Sequence, residues 1–164
     1  MSDLIGSATS GYNGVTKEYP VANGVTVTAG DFVFLASGRV DNTDVEGKTL
    51  LGMVIGGQSN DFANTAATAA TTAVGDANGT VKVLVAVEPN AKYVIDNDNV
   101  GTTFAVTHIG SCFDLAAAND TGTQIIDTST VGTTGQFECV GFGYNGDNTL
   151  GVYIINEHKY KVNA

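Results

Sequence analysis

Two histidines, two cysteines, a few spaced carboxylates and a glycine-rich hexad are the residues of this 164-residue chain whose types and spacing have chemistry to offer. His108 and Cys112 stand at i and i+4, a metal-ligand spacing on a helix, but Thr107-His108-Ile109-Gly110-Ser111 is a poor helix former. On a strand the two would share a face about 13 Å apart, too far for one ion. His108, Ser111, Cys112 and Asp114 also supply the letters of a nucleophilic triad. A triad draws its members from separate elements held within hydrogen-bond reach, so closeness in sequence does not assemble one. Asp96-Asn97-Asp98-Asn99-Val100-Gly101 has the alternating oxygens and sixth-place glycine of a calcium loop. The twelfth place is Thr107 where a bidentate Glu is needed, which predicts a solvated turn. Gly141-Phe142-Gly143-Tyr144-Asn145-Gly146 spells G-x-G-x-x-G, yet Asp147 to Tyr153 has turn and then strand character. A glycine-rich hairpin is expected there, not a helix N-terminus aimed at a pyrophosphate. His158 follows the last strand and reads as a surface or packing residue. No reaction, cofactor or metal is named by these residues.

The elements that must position them are strands. Val81, Val83, Val85 and Val87 alternate along one face, Glu88-Pro89-Asn90 turns, and Tyr93 and Ile95 repeat the alternation. Gly24 to Thr28 leads through Ala29-Gly30-Asp31 into Phe32-Val33-Phe34-Leu35-Ala36, with turn chemistry between β-branched runs. A further strand covers residues 52–55. Residues 136–142 and 150–155 flank Asn145-Gly146-Asp147-Asn148, a strong hairpin signal. The expectation is an all-β fold, a compact β-barrel or β-sandwich, since strand order is not written in a period of two. Residues 60–79 are rich in Ala and Thr with almost nothing large to bury, which predicts a long mobile loop or one short helix. Residues 1–17 carry Gly6, Gly11 and Gly14 among Ser, Thr and Asn and are expected to form a flexible N-terminal arm, leaving 18–164 as a single β domain.

Composition narrows the function classes. Seven basic residues face seventeen acidic ones, a formal net charge of −10, which repels phosphate backbones and anionic lipid and makes nucleic acid an unexpected partner. No apolar run approaches the roughly 20 residues of a membrane span, so no membrane partner is expected. Met1-Ser2-Asp3-Leu4-Ile5-Gly6 has neither a basic start nor a long hydrophobic stretch, the pattern of a soluble chain made in the cytoplasm. Cys112 and Cys139 have no neighbouring Cys to complete a metal pair and are expected to be two reduced thiols, a cross-strand disulfide being the lesser alternative.

One family pattern runs through most of the chain. Residues 24–33, Gly24-Val25-Thr26-Val27-Thr28-Ala29-Gly30-Asp31-Phe32-Val33, followed by Leu51-Gly52-Met53-Val54, resemble the opening of many tailed-bacteriophage capsid decoration proteins. Residues 85–93, then Ile109-Gly110-Ser111-Cys112-Phe113-Asp114-Leu115, then Asp127-Thr128-Ser129-Thr130 with Thr134-Gly135-Gln136-Phe137, follow the order of that family's central half. Ile154-Ile155-Asn156-Glu157-His158-Lys159-Tyr160 is similar to its closing element. The 60–79 stretch and the N-terminal arm fall outside the pattern. The resemblance implies a non-enzymatic virion protein, without cofactors, that binds the phage major capsid protein on the capsid exterior as a homo-oligomer, commonly a trimer.

Leu4, Ile5 and Tyr12 are apolar side chains in an otherwise polar leader and are the expected coat-interface anchors. A carbohydrate-binding or fibre domain of a virion is the alternative, with Tyr12, Tyr19, Tyr93, Tyr144, Tyr153 and Tyr160 available to stack on sugars; the absence of Trp weighs against it.

Overall fold

A computed structural model describes residues 3–5, 15–57, 72–98, 103–116, 124–144 and 146–159. They form β1 (Asp3–Ile5), β2 (Thr16–Pro20), β3 (Thr26–Thr28), β4 (Phe32–Ala36), β5 (Arg39–Asp41), β6 (Leu50–Gly57), β7 (Thr72–Val74), β8 (Lys82–Ala86), β9 (Lys92–Ile95), β10 (Cys112–Leu115), β11 (Ile126–Gly132), β12 (Phe137–Tyr144) and β13 (Asp147–Ile155), with one 3-10 turn at Val106–His108. The fold is all-β, as the period of two predicts. No helix among the described residues is long and apolar enough to cross a membrane.

Every named strand pair is antiparallel. One large sheet runs β2-β8-β6-β4-β5, the other β1-β9-β13-β12-β10-β11, and β3 pairs with β7 in a small third sheet. The strand, turn and strand read around Glu88-Pro89-Asn90 are present, but β8 and β9 lie in different sheets. That turn carries the chain across the molecule.

Alternation along the strands sorts side chains into two cores. Phe32, Leu50 and Met53 join Tyr93, Phe113, Leu115, Phe137, Tyr153 and Ile155 between the two large sheets. Their sequence neighbours Val33, Leu51 and Val54 point the other way, with Val21, Val40, Val83, Val85, Val27 and Ala73. The β2–β5 sheet is thus buried on both faces and packs on its neighbour in sandwich fashion. Phe32 meets Tyr93 and Phe137 edge-on, at centroid distances of 5.0 and 4.8 Å, each pair contributing about 1 kcal/mol beyond its buried area. The Gln124 amide acts as a substitute strand for Phe32: the Phe32 N–H donates to Gln124 Oε1 and Gln124 Nε2 donates to the Phe32 carbonyl at 3.0 Å.

The two large sheets are built to one plan. With β1 set aside as an added edge of the six-stranded sheet, five strands in each lie, in chain order, first, fifth, fourth, second, third: β2-β8-β6-β4-β5 and β9-β13-β12-β10-β11. Registers correspond as well. Thr16↔Ala86 and Lys17↔Val85 answer to Lys92↔Ile154 and Tyr93↔Tyr153. Leu35↔Val40 answers to Leu115↔Ile126. Val54↔Val85 answers to Cys139↔Tyr153, and both are followed by a bulge that resumes at Gly56↔Leu84 and Gly141↔Val152. Each sheet curls until its first and third strands meet at one parallel bridge, Val21↔Val40 and Asn97↔Ile126.

Within the span expected to be an arm, Asp3–Ile5 are ordered by the chain itself as a strand on β9, and Thr16 and Lys17 already belong to β2, where they pair with Ala86 and Val85. Within the Ala/Thr-rich stretch, residues 60–71 lie outside the described residues and Thr72–Val74 form β7 rather than a loop or helix, because Ala73 is small enough to pack against β3 while Thr72 and Val74 face out.

Candidate functional site

The residues that might have carried a reaction hold turns and strands in place. His108 Nδ1 accepts the Ala105 N–H at 2.9 Å and its ring packs edge-on against Phe104. Asp114 Oδ1 accepts the Gln136 N–H at 2.9 Å, while the Asp114 N–H donates to Thr130 Oγ1 at 2.9 Å. Cys112 Sγ lies 3.6 Å from Asn156 Nδ2. The side chains of His108, Cys112 and Asp114 thus each have a different partner, none of them another member of the would-be triad. Cys112 and Cys139 are buried free thiols; burial pushes the Cys139 thiol up, with a backbone hydrogen bond at Gly141 opposing and the Glu138 charge adding to it. A thiol in that state is a poor nucleophile.

The Asp96-Asn97-Asp98 run works as a clamp. The Asp98 N–H donates to the Ile126 carbonyl and the Ile126 N–H to the Asp96 carbonyl, at 2.9 and 2.8 Å. Asp98 Oδ1 accepts from the Thr128 N–H at 2.9 Å and from Thr128 Oγ1 at 2.8 Å, and these bonds, the backbone one first, hold its carboxyl below the usual range. Among the described residues no group of His, Cys, Asp and Glu is placed to hold a metal ion. Gly141 to Tyr144 lie in β12, and the Asn145-Gly146 connection joins Tyr144 to its partner Asp147, with Gly146 at φ 84°. This is the hairpin expected of the glycine-rich hexad, since left-handed backbone suits a two-residue turn. His158 is buried and bridges to Leu50, a packing residue of the core margin.

What remains for recognition is surface and edge. Leu4 stands opposite Tyr93 and Ile5 opposite Lys92, on an edge strand of three residues, so two of the expected anchors lie at the rim of the larger sheet. Tyr12 lies outside the described residues. Tyr93 and Tyr153 are fully buried and have no face to offer a sugar; Tyr19 and Tyr144 are half-buried, and Tyr160 lies outside the described residues. Burial, and then the proximity of Cys139, pushes the Tyr153 phenol far up. Sequence reading missed Val106 and Ile109, which are exposed on the 3-10 turn. The signal was present: two aliphatic residues in a segment that is neither strand nor core.

No family model, no curated protein and no solved structure matches the chain.

Proposed function

We propose that this chain is a non-enzymatic decoration protein that binds the outer surface of a tailed-phage capsid through the major capsid protein and stiffens the assembled head. The observation that carries the proposal is where the chemistry-bearing side chains are used: Asp98, Asp114 and Gln136 tie strands to one another and to the segments that flank them, and His108 closes its own 3-10 turn, in an acidic, doubly cored β body. Such a body resists deformation, with one large sheet buried on both faces, as suits a cement. The family resemblance of residues 24–160 adds the capsid and the oligomer, a trimer on the virion exterior. A trimer engaging several coat subunits gains avidity on the order of a hundredfold without tighter single contacts. The short edge strand Asp3–Ile5 is the natural lead for the arm, since an extended segment can add to a neighbour's sheet edge.

The test is co-sedimentation of purified chain with undecorated heads, for the full chain and for a deletion of residues 1–17. Saturable binding of the full chain and weakened binding of the deletion are expected. Heads that stay bare would overturn the proposal, and equal occupancy by the deletion would remove Leu4, Ile5 and Tyr12 from the interface. Glycan-array binding without head binding would favour the carbohydrate reading instead.

A further inference from the structure

The internal repeat locates a docking place that neither composition nor motif reveals. Correspondence between the two sheets extends into the segment that leads to the second strand. In the first sheet the Asp31 N–H donates to the Thr28 carbonyl at 3.0 Å, the Gly30 N–H to the Val54 carbonyl at 2.8 Å and the Val54 N–H to the Asp31 carbonyl at 2.8 Å. In the other, the Ser111 N–H donates to the His108 carbonyl at 3.0 Å, the Gly110 N–H to the Cys139 carbonyl at 2.8 Å and the Cys139 N–H to the Ser111 carbonyl at 2.9 Å. Gly30 and Gly110 both take positive φ, 101° and 84°. Residues 28–31 therefore sit where residues 108–111 sit, and β3 occupies the station of the Val106–His108 turn.

The two stations are finished differently. β3 is covered by β7 in the register Thr26↔Val74, Val27↔Ala73, Thr28↔Thr72, which leaves Val27 and Thr28 buried. β7 comes from the connection between β6 and β8. The corresponding connection between β12 and β13 is two residues long, too short to supply a strand. At the uncovered station Val106 is 71 % exposed and Ile109 49 % exposed. The backbone there forms a single 3-10 turn and no strand, with the His108 N–H on the Ala105 carbonyl at 2.9 Å, the Ile109 N–H on the Val106 carbonyl at 3.2 Å and His108 Nδ1 accepting the Ala105 N–H. The hydrogen-bond geometry of such a turn is poorer than that of an α-helix.

We propose that an extended segment of a coat subunit completes this station, lying over Val106 and Ile109 where β7 lies over β3. This rests on the decoration reading for the identity of the partner. The internal copy supplies the chemistry: β7 turns one small apolar residue, Ala73, inward and leaves Thr72 and Val74 outside, so a strand with small apolar residues at alternate places fits. A second copy of the chain is the less suitable donor, because each strand among the described residues is already paired within its own chain, so a copy would bring a sheet edge and not the single covering strand that β7 supplies. Strand addition of this kind draws affinity from main-chain bonds and specificity from the alternate side chains.

The test compares the full chain, a Val106→Asp/Ile109→Asp double variant and a Val74→Asp control for binding to undecorated heads. Val74 is as exposed as the tested pair but lies on the station already covered, so it controls for added charge. The double variant is expected to keep the wild-type melting temperature and to lose about tenfold or more in apparent affinity, with the control unchanged. Equal binding by wild type and double variant overturns the inference and leaves the decoration reading intact. Absence of binding by the wild type overturns the decoration reading itself. If the double variant fails to fold, hydrogen exchange of the wild type on heads decides: slowed amides at 106–109 support the inference and unchanged ones overturn it. A double variant that alters self-association while still decorating heads assigns the station to a second copy and overturns it too.

Discussion

Gln136 shows how far one buried amide can organise this fold. Its Nε2 donates to the Val45 and Lys48 carbonyls at 2.8 and 2.9 Å, its Oε1 accepts the Leu115 N–H at 3.0 Å, and the side chain is fully buried. Gln136→Leu would strand those three backbone groups, so a loss of about 3 kcal/mol in urea unfolding is expected. Asp76 is the clearest acid-sensitive group. Its carboxylate accepts from Thr80 Oγ1 and the Thr80 N–H, both at 2.7 Å, and from the Val81 N–H at 3.2 Å, the Thr80 hydroxyl first among the causes that lower it to about 2. A carboxyl depressed in the folded state stabilises fully above the unfolded value of about 3.9 and loses that contribution as pH falls toward 2. Stability followed by pH titration should therefore fall less steeply between pH 4 and 2 in Asp76→Asn than in the wild type. Neither role was legible in the sequence. Gln136 opens a stretch with strand character, and its partners Leu115, Val45 and Lys48 lie far away in the chain; Asp76 bonds Thr80 and Val81 nearby, but it sits in an Ala/Thr-rich stretch whose composition does not mark that turn.

Elements were more legible than residues. The Val81-Val83-Val85-Val87 face and the hairpin around Asn145-Gly146 are read directly because alternation and turn chemistry are local. β5 and β7 escape such reading: each is three residues long, and β7 has no large side chain. The repeat is hidden for a different reason. Identity survives at Gly30 and Gly110, Leu35 and Leu115, Asp41 and Asp127, and Gly56 and Gly141, whereas other corresponding pairs such as Val85 and Tyr153 share only the direction they face. Tyr153 illustrates the divergence, because its ring lies over Gly151 so closely that a Cβ there would fall 2.4 Å from the phenol oxygen. Gly151→Ala is expected to cost about 1 to 3 kcal/mol by overpacking, read as a lowered urea midpoint with an unchanged slope.

At the scale of the whole molecule, an acidic β body with two cores is suited to holding a shape while docked. Its candidate interface was partly legible: Leu4 and Ile5 fall on an edge strand, but the Val106–Ile109 station emerges only when the two sheets are laid on each other. The charge of −10 predicts that docking to basic coat patches weakens severalfold between roughly 0.05 and 0.5 M salt, measurable by head co-sedimentation. Salt-indifferent binding would place the affinity in the apolar contacts alone. The central claim is tested most directly by cryo-electron microscopy of heads from the phage that encodes this chain. Density for the chain as trimers above threefold or quasi-threefold positions of the coat lattice is the predicted result; heads carrying no density for it would contradict the account.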